Sequence, residues 1–412
     1  MITSVEPWFQ SLFAERIGGA KYGQGTAIYK FEKIKRAKRE ALAAFPHRQL
    51  LDYGIGENDD MADESVRRVL KEEADKTDNR GYADNGIAAF KEAAARFMQR
   101  TFGVTLDPVT EINHAIGSKP AYAMLPAAFI NPGDVTLMTV PGYPVAGTHT
   151  KYYGGQVHPL PLLPQNNFYP DLKNIPADIL KRAKLMVINY PNSPTGQVAT
   201  KDFYKEVIEF AHRHQVVIVQ DAAHILLSYA SKPFSFLEME GAREVGIEVH
   251  SMSKGFNMIG WRMGFVAGHA KIVRAFADIK DNSDSGQFMA VQKAAAFALD
   301  QSQIPVAVRE KYRRRLQKLV TTLNSVGFQS KMPGGTYFLY VKAPRGCNHR
   351  AFVDAEDVSQ FLITNLSLCC VPWDDAGPHL RFSVTYMAPS EQEEDQLMKQ
   401  TYDRLKALEL EF

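Results

Sequence analysis

One stretch governs the interpretation of the whole chain: SMSKGFNMIGWRMG, residues 251–264. It follows an apolar-leaning run at residues 245–249, places Lys254 beside two serine hydroxyls, and brings Arg262 eight residues later. A lysine that forms a Schiff base must be held on a short, fixed loop. Hydroxyl and guanidinium donors next to it suit an anion such as phosphate. Taken alone, such a lysine is more often an exposed charge, so the rest of the chain decides.

The composition indicates a large folded chain without a charge bias. It has 412 residues, 45% of them hydrophobic, and a formal net charge of +2. That length predicts a big domain plus a smaller one, and the near-neutral charge does not favour binding to nucleic acid or an anionic membrane. Basic runs at residues 30–39 and 313–315 have apolar residues interleaved at helical spacing, so both are interpreted as solvated helix faces.

Targeting and redox signals predict a reduced, cytoplasmic chain. Residues 1–10 lack the apolar core of a signal peptide, and no stretch approaches the roughly 18 apolar residues that span a bilayer. The three cysteines, Cys347, Cys369 and Cys370, are an odd number that contains an adjacent pair. They show no zinc spacing, so neither a disulfide framework nor a metal site is expected.

Short apolar runs alternate with helical segments from about residue 111. Near-continuous apolar strands between helices predict a buried, mostly parallel sheet with helices on both faces. The N-terminal region reads as an arm, with an irregular Gly-rich segment and then a helix at residues 31–45. The predicted strands are residues 112–116, 135–140, 185–188, 216–219 and 248–251, with 265–267 as a further candidate. Helices are predicted at residues 63–74, from about 87, at 121–129 and at 201–214.

Unusual residues follow these strands, which is where an open α/β sheet binds its ligands. Gly117-Ser118-Lys119-Pro120 begins a predicted helix, and a helix N-terminus is a ready anion site. Asp221 directly follows a buried strand; because a buried carboxylate is costly without a cation, it predicts a cationic partner. Taken singly, each motif is also compatible with a capped helix or a turn. The other strand-end motifs are residues 141–144 (PGYP), 189–196 (NYPNSPTG) and 220–224 (QDAAH).

The carboxyl-terminal third has a different pattern. A long helix is predicted from residue 287 to about 324, followed by strands at 334–341 and 379–384 and a closing helix at 391–408. This predicts a smaller α+β domain that the N-terminal arm joins. The expected organisation is residues 1–49 as the arm and part of the small domain, 50–295 as the large domain, and 296–412 as the small domain.

Five strand-end features in this order resemble the fold-type I aminotransferases that use pyridoxal 5′-phosphate. They are Gly-Ser-Lys-Pro, Gly-Tyr-Pro, Pro-Asn-Ser-Pro-Thr-Gly, Asp-Ala-Ala-His, and Ser-x-Ser-Lys with the following Arg. The resemblance covers nearly the whole chain. It implies an α/β fold in which a mostly parallel seven-stranded sheet lies between helices in the large domain, beside a smaller α+β domain.

The resemblance also implies residue roles. Lys254 would bond to the cofactor's aldehyde and then move a proton between the substrate Cα and the cofactor's C4′, and Asp221 would keep the ring nitrogen protonated. Tyr143 would stack on the ring beside the substrate. Arg381 would bind the substrate α-carboxylate as a bidentate fork. The residues around the phosphate would be Ser118, Lys119, Ser251, Ser253 and Arg262.

Within this group the chain most resembles LL-diaminopimelate aminotransferases. The resemblance rests on Tyr29, residues 54–56, the loop at 79–86, Lys119 and residues 380–383. That family exchanges an amino group between LL-diaminopimelate and 2-oxoglutarate in lysine synthesis, and it works as a homodimer whose active sites share residues. The implied substrate contacts are Tyr29, Gly56, Lys119, Tyr143 and Arg381, with Asp84 and the cofactor contact Tyr82 coming from the partner chain.

Two positions depart from the family pattern around one cofactor atom. The family has Asn directly before Pro-Thr-Gly and Tyr three residues after the Asp, and both contact the ring's phenolic oxygen. This chain has Ser193 and His224 there, with Asn192 one position earlier. We predict that His224, helped by Asn192 or Ser193, makes that contact; the alternative is that the imidazole only fills space.

Other functions remain open on sequence alone. The same lysine and acid would serve a lyase or a decarboxylase, and a non-catalytic binding protein could keep the fold. Arg381 and Lys119 favour amino transfer. The serious alternative is another donor, namely alanine, aspartate, an aromatic amino acid or lysine. Neither the direction of flux nor the oligomeric state can be read from the sequence.

Overall fold

The computed structural model describes residues 7–24, 30–229 and 232–412. Within those ranges the helices are α1 (Pro7–Gln10), α2 (Lys30–Ala44), α3 (Glu64–Ala74), α4 (Ala88–Phe102), α5 (Ser118–Phe129), α6 (Val145–Tyr152), α7 (Ala177–Arg182), α8 (Lys201–His214), α9 (Ala242–Val245), α10 (Met252–Gly255), α11 (Ala270–Asp281), α12 (Met289–Leu299), α13 (Gln303–Asn324), α14 (Ala355–Leu366) and α15 (Glu391–Lys406). The strands there are β1 (Leu51–Asp52), β2 (Ile112–Ala115), β3 (Val135–Val140), β4 (Gln156–Pro161), β5 (Ala183–Asn189), β6 (Val217–Asp221), β7 (Gly246–Ser251), β8 (Gly264–Gly268), β9 (Phe338–Lys342), β10 (Gly346–Cys347), β11 (Arg350–Ala351), β12 (Leu368–Cys369), β13 (Val371–Trp373), β14 (His379–Ser383) and β15 (Leu410–Glu411).

A seven-stranded sheet in the order β2-β8-β7-β6-β5-β3-β4 forms the centre of the larger region. Adjacent strands in this sheet pair in parallel, except that β8 runs antiparallel to β2 and β7. Adjacent residues of one strand enter different cores: Ile218 packs in one and Val219 in the other. This alternation is expected of a strand buried on both faces. The predicted mostly parallel seven-stranded sheet is therefore confirmed, and the six predicted strands end within two residues of their observed limits.

The edge strand β4 was not predicted. Its sequence QVHPLP contains Pro159 and Pro161, which read as breakers of a strand. β4 pairs only with β3 in the sheet order. Because an outer strand leaves one row of backbone groups without a ladder partner, prolines are tolerated there.

The single long helix predicted at residues 287–324 is wrong, because α12 ends at Leu299 and α13 begins at Gln303. Two features explain the break. Asp300 accepts hydrogen bonds from Arg96 on α4 at 3.2 and 2.7 Å, which fixes the chain after α12. Pro305 has no amide hydrogen and fits in the first turn of a helix, where that donor is not needed.

A second core lies in the carboxyl-terminal third. The antiparallel strands β13, β14 and β9 form its three-stranded sheet. β9 begins four residues after the predicted strand start because Thr336 adopts a left-handed φ of 68°. Leu51 packs in this core, and α13 enters it after starting in the first core at Ile304. The domain limits at residues 49/50 and 295/296 stay a prediction.

The interpretation of residues 313–315 as a solvated face is wrong for one residue. Arg315 is 0% exposed, with its guanidinium 3.0 Å from Asp59 and 2.8 Å from Glu394. The buried face of α13 therefore includes one charged side chain, and both of its acidic partners compensate that charge. In the part of the chain described, no helix is long and apolar enough to cross a membrane.

Candidate active site

The site lies where β6 and β7 end, at the carboxyl edge of the sheet. β7 ends at Ser251, whose hydroxyl accepts a hydrogen bond from the Ser253 amide at 3.2 Å and so caps the short helix α10. α10 carries Lys254. The next residue must be small, because a Cβ on Gly255 would come 2.5 Å from Leu226 Cδ1. The sequence thus holds the lysine on a short, closely packed turn.

Lys254 is half-buried, and no ion pair joins its amine to a carboxylate among the described residues. Nζ donates to the Gly56 carbonyl at 2.9 Å and lies 5.3 Å from the centre of the Tyr337 ring. Burial lowers the pKa of Lys254 to about 8, against the opposing charge of Glu57 and with help from the cations Arg262 and Arg381. A neutral amine, which can act as a nucleophile or a base, is therefore accessible near neutral pH.

Asp221 ends β6 and is also buried. Its carboxylate accepts a hydrogen bond from the Ala223 amide at 3.0 Å. Burial raises the pKa of Asp221 to about 6, although that amide, Tyr122, His250 and Lys254 all act to lower it. A buried acid of this kind is stabilised by a cationic group brought to it.

An anion cradle forms around Gly117 and the first turn of α5. Gly117 has a φ of +75°, and a Cβ on it would come 2.3 Å from Arg262 Nη2. Arg262 donates through Nη1 to the Ile259 carbonyl at 2.7 Å and to Ser253 Oγ at 3.4 Å. Backbone amides at the start of the twelve-residue helix α5 and this guanidinium suit a phosphate. Ser118 begins that helix, whereas the Lys119 side chain is exposed.

Tyr143 and the turn after β5 line another side. Tyr143 is 42% exposed and meets Tyr122 edge-on, with 6.3 Å between ring centres. Asn192 is fully buried, and its carbonyl oxygen accepts from the Thr195 amide at 3.2 Å and the Thr195 hydroxyl at 2.7 Å. The Ser193 amide donates to Asn189 at 2.8 Å. Asn192 is thus engaged within its own turn, and its predicted cofactor contact stays a prediction.

His224 packs beside the lysine. Its ring lies edge-on to Tyr337 at 5.3 Å and near Phe338 at 5.8 Å. Nδ1 is buried without a hydrogen-bond partner in the described chain. Burial, and then the charges of Lys254 and Arg381, lower the pKa of His224 to about 3. The imidazole is therefore neutral, with one ring nitrogen left for a further group.

Arg381 projects from β14 on the smaller region's side. Its guanidinium donates to the Gly54 carbonyl at 2.9 Å and lies 4.2 Å from the Phe338 ring centre and 5.8 Å from that of Trp373. Nε has no hydrogen-bond partner in the described chain. Burial lowers the pKa of Arg381 to about 10. A buried guanidinium without a described acid is a receptor for a carboxylate.

Residues 54–59, the bridging segment, connect these groups. Besides the carbonyl bonds to Arg381 and Lys254, the Gly56 carbonyl accepts from the Tyr337 hydroxyl at 2.6 Å. Asn58 donates to the Lys254 carbonyl at 2.7 Å. The family resemblance selected residues 54–56 in the sequence but did not point to Tyr337, whose only signal was its place after Gly334-Gly335. It also missed Tyr122, which lies in an ordinary helical pattern.

Two predicted site residues are not brought to Lys254 within this chain. Tyr82 is 84% exposed, Asp84 is exposed too, and no described hydrogen bond joins either side chain to the lysine. Their loop is fixed from behind, because buried Lys280 donates to the Asp84 carbonyl and to Asp284. Tyr29 lies outside the described residues.

The arrangement fits pyridoxal 5′-phosphate. The space beside Gly117, which a Cβ would fill, can hold the phosphate. The buried carboxylate of Asp221 can pair with a protonated ring nitrogen, and the amine of Lys254 can bond to an aldehyde. The unpartnered Nδ1 of His224 offers a contact for a further ring substituent. Among the described residues no cluster of metal-ligating side chains is present.

Comparison with known proteins gives consistent matches over nearly the whole chain. The family model for aminotransferase class I and II matches residues 48–399. The LL-diaminopimelate aminotransferase of Methanocaldococcus jannaschii is 54% identical over 99% of this chain and 100% of its own length. That of Methanococcus maripaludis is 52% identical over the same shares. Substrate-bound BacF from Bacillus subtilis has a TM-score of 0.85 at 30% identity, covering 94% of this chain and 97% of that structure.

Proposed function

Because the chain belongs to the aminotransferase class I and II family and is a pyridoxal 5′-phosphate-dependent transaminase of fold type I, we propose that it transfers an amino group from LL-diaminopimelate to 2-oxoglutarate. The observation that carries the donor is the identity of 54% and 52% with two enzymes of that name over nearly full lengths. The reaction would serve lysine synthesis.

The buried groups support the reaction itself. When bound, the cofactor supplies an electron sink for the pair released as the substrate loses its Cα proton. Lys254 holds and returns that proton, since its lowered pKa leaves a neutral amine available. Asp221 keeps a proton on the ring nitrogen. Arg381 orients the α-carboxylate so that the Cα hydrogen faces Lys254.

The phosphate contacts are proposed for Gly117's neighbours and for Arg262. The Ser118 amide and hydroxyl, Ser251, Ser253 and Arg262 hold the phosphate, with Lys119 nearby. Tyr143 covers the ring face, and Gly56 and Lys119 border the substrate.

His224 is proposed to contact the ring's phenolic oxygen through Nδ1, with Ser193 or Asn192 nearby. The buried, unpartnered nitrogen supports this. In His224→Phe the pH dependence of the holoenzyme's visible absorbance shifts if the contact exists. An unchanged pH profile, with cofactor still bound, means that the ring only fills space.

Assembly and location complete the proposal. We propose a homodimer in which Tyr82 and Asp84 reach the partner's site, with Tyr29 also contacting substrate; the exposure of Tyr82 on a loop that is fixed from behind supports this. A cytoplasmic location is proposed, since the cysteines Cys347, Cys369 and Cys370 are free and buried.

The donor is tested directly. Purified holoenzyme is offered LL-diaminopimelate, its meso isomer, lysine, aspartate and alanine in turn with 2-oxoglutarate, and glutamate is measured. Fastest glutamate formation is expected from the LL isomer. Brisk turnover of another donor with none from the LL isomer overturns the donor and leaves the reaction class intact. Release of pyruvate or carbon dioxide in place of glutamate indicates a lyase or decarboxylase.

A further inference from the structure

The bridging segment contacts both Arg381 and Lys254. In the proposed function, these two residues act on the same substrate molecule, Arg381 on its carboxylate and Lys254 on its Cα proton. Arg381 Nη2 and Lys254 Nζ donate to carbonyls only two residues apart, those of Gly54 and Gly56, each at 2.9 Å. Between them, the Ile55 carbonyl accepts from the Thr385 hydroxyl at 2.9 Å. A small displacement of this segment therefore moves the carboxylate receptor and the lysine relative to each other.

The far end of the segment is anchored by Asp59, whose side chain is 4% exposed. Its carboxylate lies 3.0 Å from Arg315 Nη1 and 2.8 Å from Lys311 Nζ, and it accepts from the Tyr312 hydroxyl at 3.1 Å. All three partners belong to α13. A shift of this segment away from α13 would leave the buried carboxylate of Asp59 without its partners, which is costly, so these contacts hold the segment in place.

Arg315 connects Asp59 to the chain that follows Arg381. Its guanidinium donates to the carbonyls of Val384, Tyr386 and Ala388 at 3.1, 2.9 and 2.9 Å. That stretch continues directly from β14 and includes Thr385. One guanidinium thus holds both the bridging segment and the chain that directly follows the strand carrying the carboxylate receptor.

We propose that Asp59 is a positioning residue for substrate recognition: through Arg315 it fixes the spacing between Arg381 and Lys254. The inference rests on the proposed function, because it requires a substrate whose carboxylate binds Arg381 while its Cα faces Lys254. The amino donor and the 2-oxo acid share that carboxylate, so both depend on the same spacing. The contacts proposed for the cofactor's phosphate and ring nitrogen do not depend on that spacing, since Asp221, Ser118 and Arg262 belong to the larger region.

The test is Asp59→Asn in the holoenzyme. The amide keeps the shape, and Arg315 retains Glu394 at 2.8 Å and its three carbonyls, so no cation is left unpaired. Each substrate is followed in its own half-reaction by the visible absorbance, L-glutamate with the aldehyde form of the holoenzyme and 2-oxoglutarate with its amine form. The KM of each half-reaction is expected to rise roughly tenfold, with a smaller change in kcat. Cofactor content and visible absorbance stay unchanged.

Asp60→Asn is the matched control. Asp60 pairs with the same Lys311 at 2.6 Å, but its side chain is 51% exposed and no described bond joins it to Arg315. Its KM values are expected to equal those of the wild-type enzyme. Thr385→Val is the second variant: it removes the hydroxyl bonded to Ile55 without changing a charge, and it raises both KM values by a smaller factor.

Two outcomes overturn the inference. One is that Asp59→Asn has a lower melting temperature but the same KM values as the wild type, which would show that Asp59 has only a structural role. The other is a rise in KM for one substrate alone. Failure of the proposed donor is a separate result, because it is seen in the wild-type enzyme with LL-diaminopimelate. The ratio of variant to wild-type KM is measured with L-glutamate and 2-oxoglutarate. If the wild-type enzyme does not accept L-glutamate, L-alanine and pyruvate replace this pair.

Discussion

Two regions of this molecule bury ionisable side chains, and they treat them in opposite ways. In the described part of the chain, Asp221, Lys254 and Arg381 have no ion pair. Burial moves the pKa of Asp221 up to about 6 and those of Lys254 and Arg381 down to about 8 and 10. Around Arg315 every charge is matched. Although burial acts against ionisation there, cationic neighbours hold the pKa of Glu394 at about 2.

The difference separates chemistry from architecture. Groups pushed toward neutrality can exchange protons or accept a charged ligand near neutral pH. Groups held ionised by close partners keep one arrangement and cannot exchange protons there. The two regions meet at the bridging segment, whose carbonyls contact the first region and whose Asp59 enters the second. Removing groups from each region tests this division.

The largest expected effect is on activity. Lys254→Ala removes the group that holds the Cα proton, so transamination falls roughly 10⁴-fold, about 5.5 kcal/mol in the barrier. Glutamate formation measures the loss, and borohydride treatment of wild-type holoenzyme followed by mass mapping places the fixed pyridoxyl group on Lys254. Lys205→Ala, an exposed lysine on α8, is the control and keeps full activity. A pyridoxyl group on another lysine contradicts the assignment.

Breaking the matched region costs stability. Glu394→Gln removes the acid that Arg314, Arg315 and Lys318 share. Because each cation keeps a second acid, the expected loss of unfolding free energy follows the pKa shift of Glu394 and is about 3 kcal/mol. Since the folded pKa of about 2 lies below the ordinary 4.5, the wild type's advantage is present above pH 4.5 and is lost as pH falls through 2. Urea unfolding at pH 7 and pH 3 measures both effects.

The neighbouring Asp395 provides the comparison. It pairs with Lys318 at 2.6 Å but is 68% exposed, so Asp395→Asn costs less than about 1 kcal/mol. Equal midpoints for Glu394→Gln and Asp395→Asn would contradict the importance of burial.

The sequence predicted the first region far better than the second. Asp221, Lys254 and Gly117–Lys119 follow short apolar strands, and the rule that ligands bind at the carboxyl ends of strands brings them together from local patterns. Arg315 shows no such signal: in a run of three arginines on a helix, only the tertiary partners Asp59 and Glu394 identify the buried one. Their sequence separations of 256 and 79 residues place that information outside any local window.

Fold prediction failed where tertiary context overrides local preference. The strand β4 was not predicted, and its two prolines are tolerated because it lies at the edge of the sheet. The helical pattern around residue 300 continues without an obvious break, although Asp300 binds Arg96 on another helix. Tyr82 and Asp84 cannot be placed from one chain at all if their site belongs to a partner.

Asp221→Asn in cofactor-free protein is expected to change the unfolding free energy by less than Glu394→Gln does, and with the opposite dependence on pH. The folded pKa of about 6 exceeds the ordinary 3.8, so the acid's contribution to stability is fully present below pH 3.8 and is lost as pH rises through 6. Between pH 4 and 8 the wild type should therefore lose about 2–3 kcal/mol that the Asn variant keeps. Urea unfolding of both proteins at the two pH values measures this.

Adding cofactor should reverse the order at pH 8, because the ring nitrogen supplies the missing cation to the wild type alone and binding then stabilises it. An Asn variant with the same pH slope as the wild type would show that Asp221 is not a buried acid held near neutrality.

The smallest expected effect concerns His224. Its folded pKa of about 3 lies below the ordinary 6.5, so the unfolded chain binds the extra proton and stability falls as pH drops below 6.5. Between pH 7 and 5.5 this group alone costs cofactor-free protein about 1 kcal/mol. His224→Phe keeps a ring between Tyr337 and Phe338 and should lack this loss. The unfolding free energies of both proteins at pH 7 and pH 5.5 test this. If the imidazole accepts a proton in the folded state, the wild type and His224→Phe will have parallel pH profiles. His224 would then not belong to the group of side chains around Lys254 that burial keeps neutral.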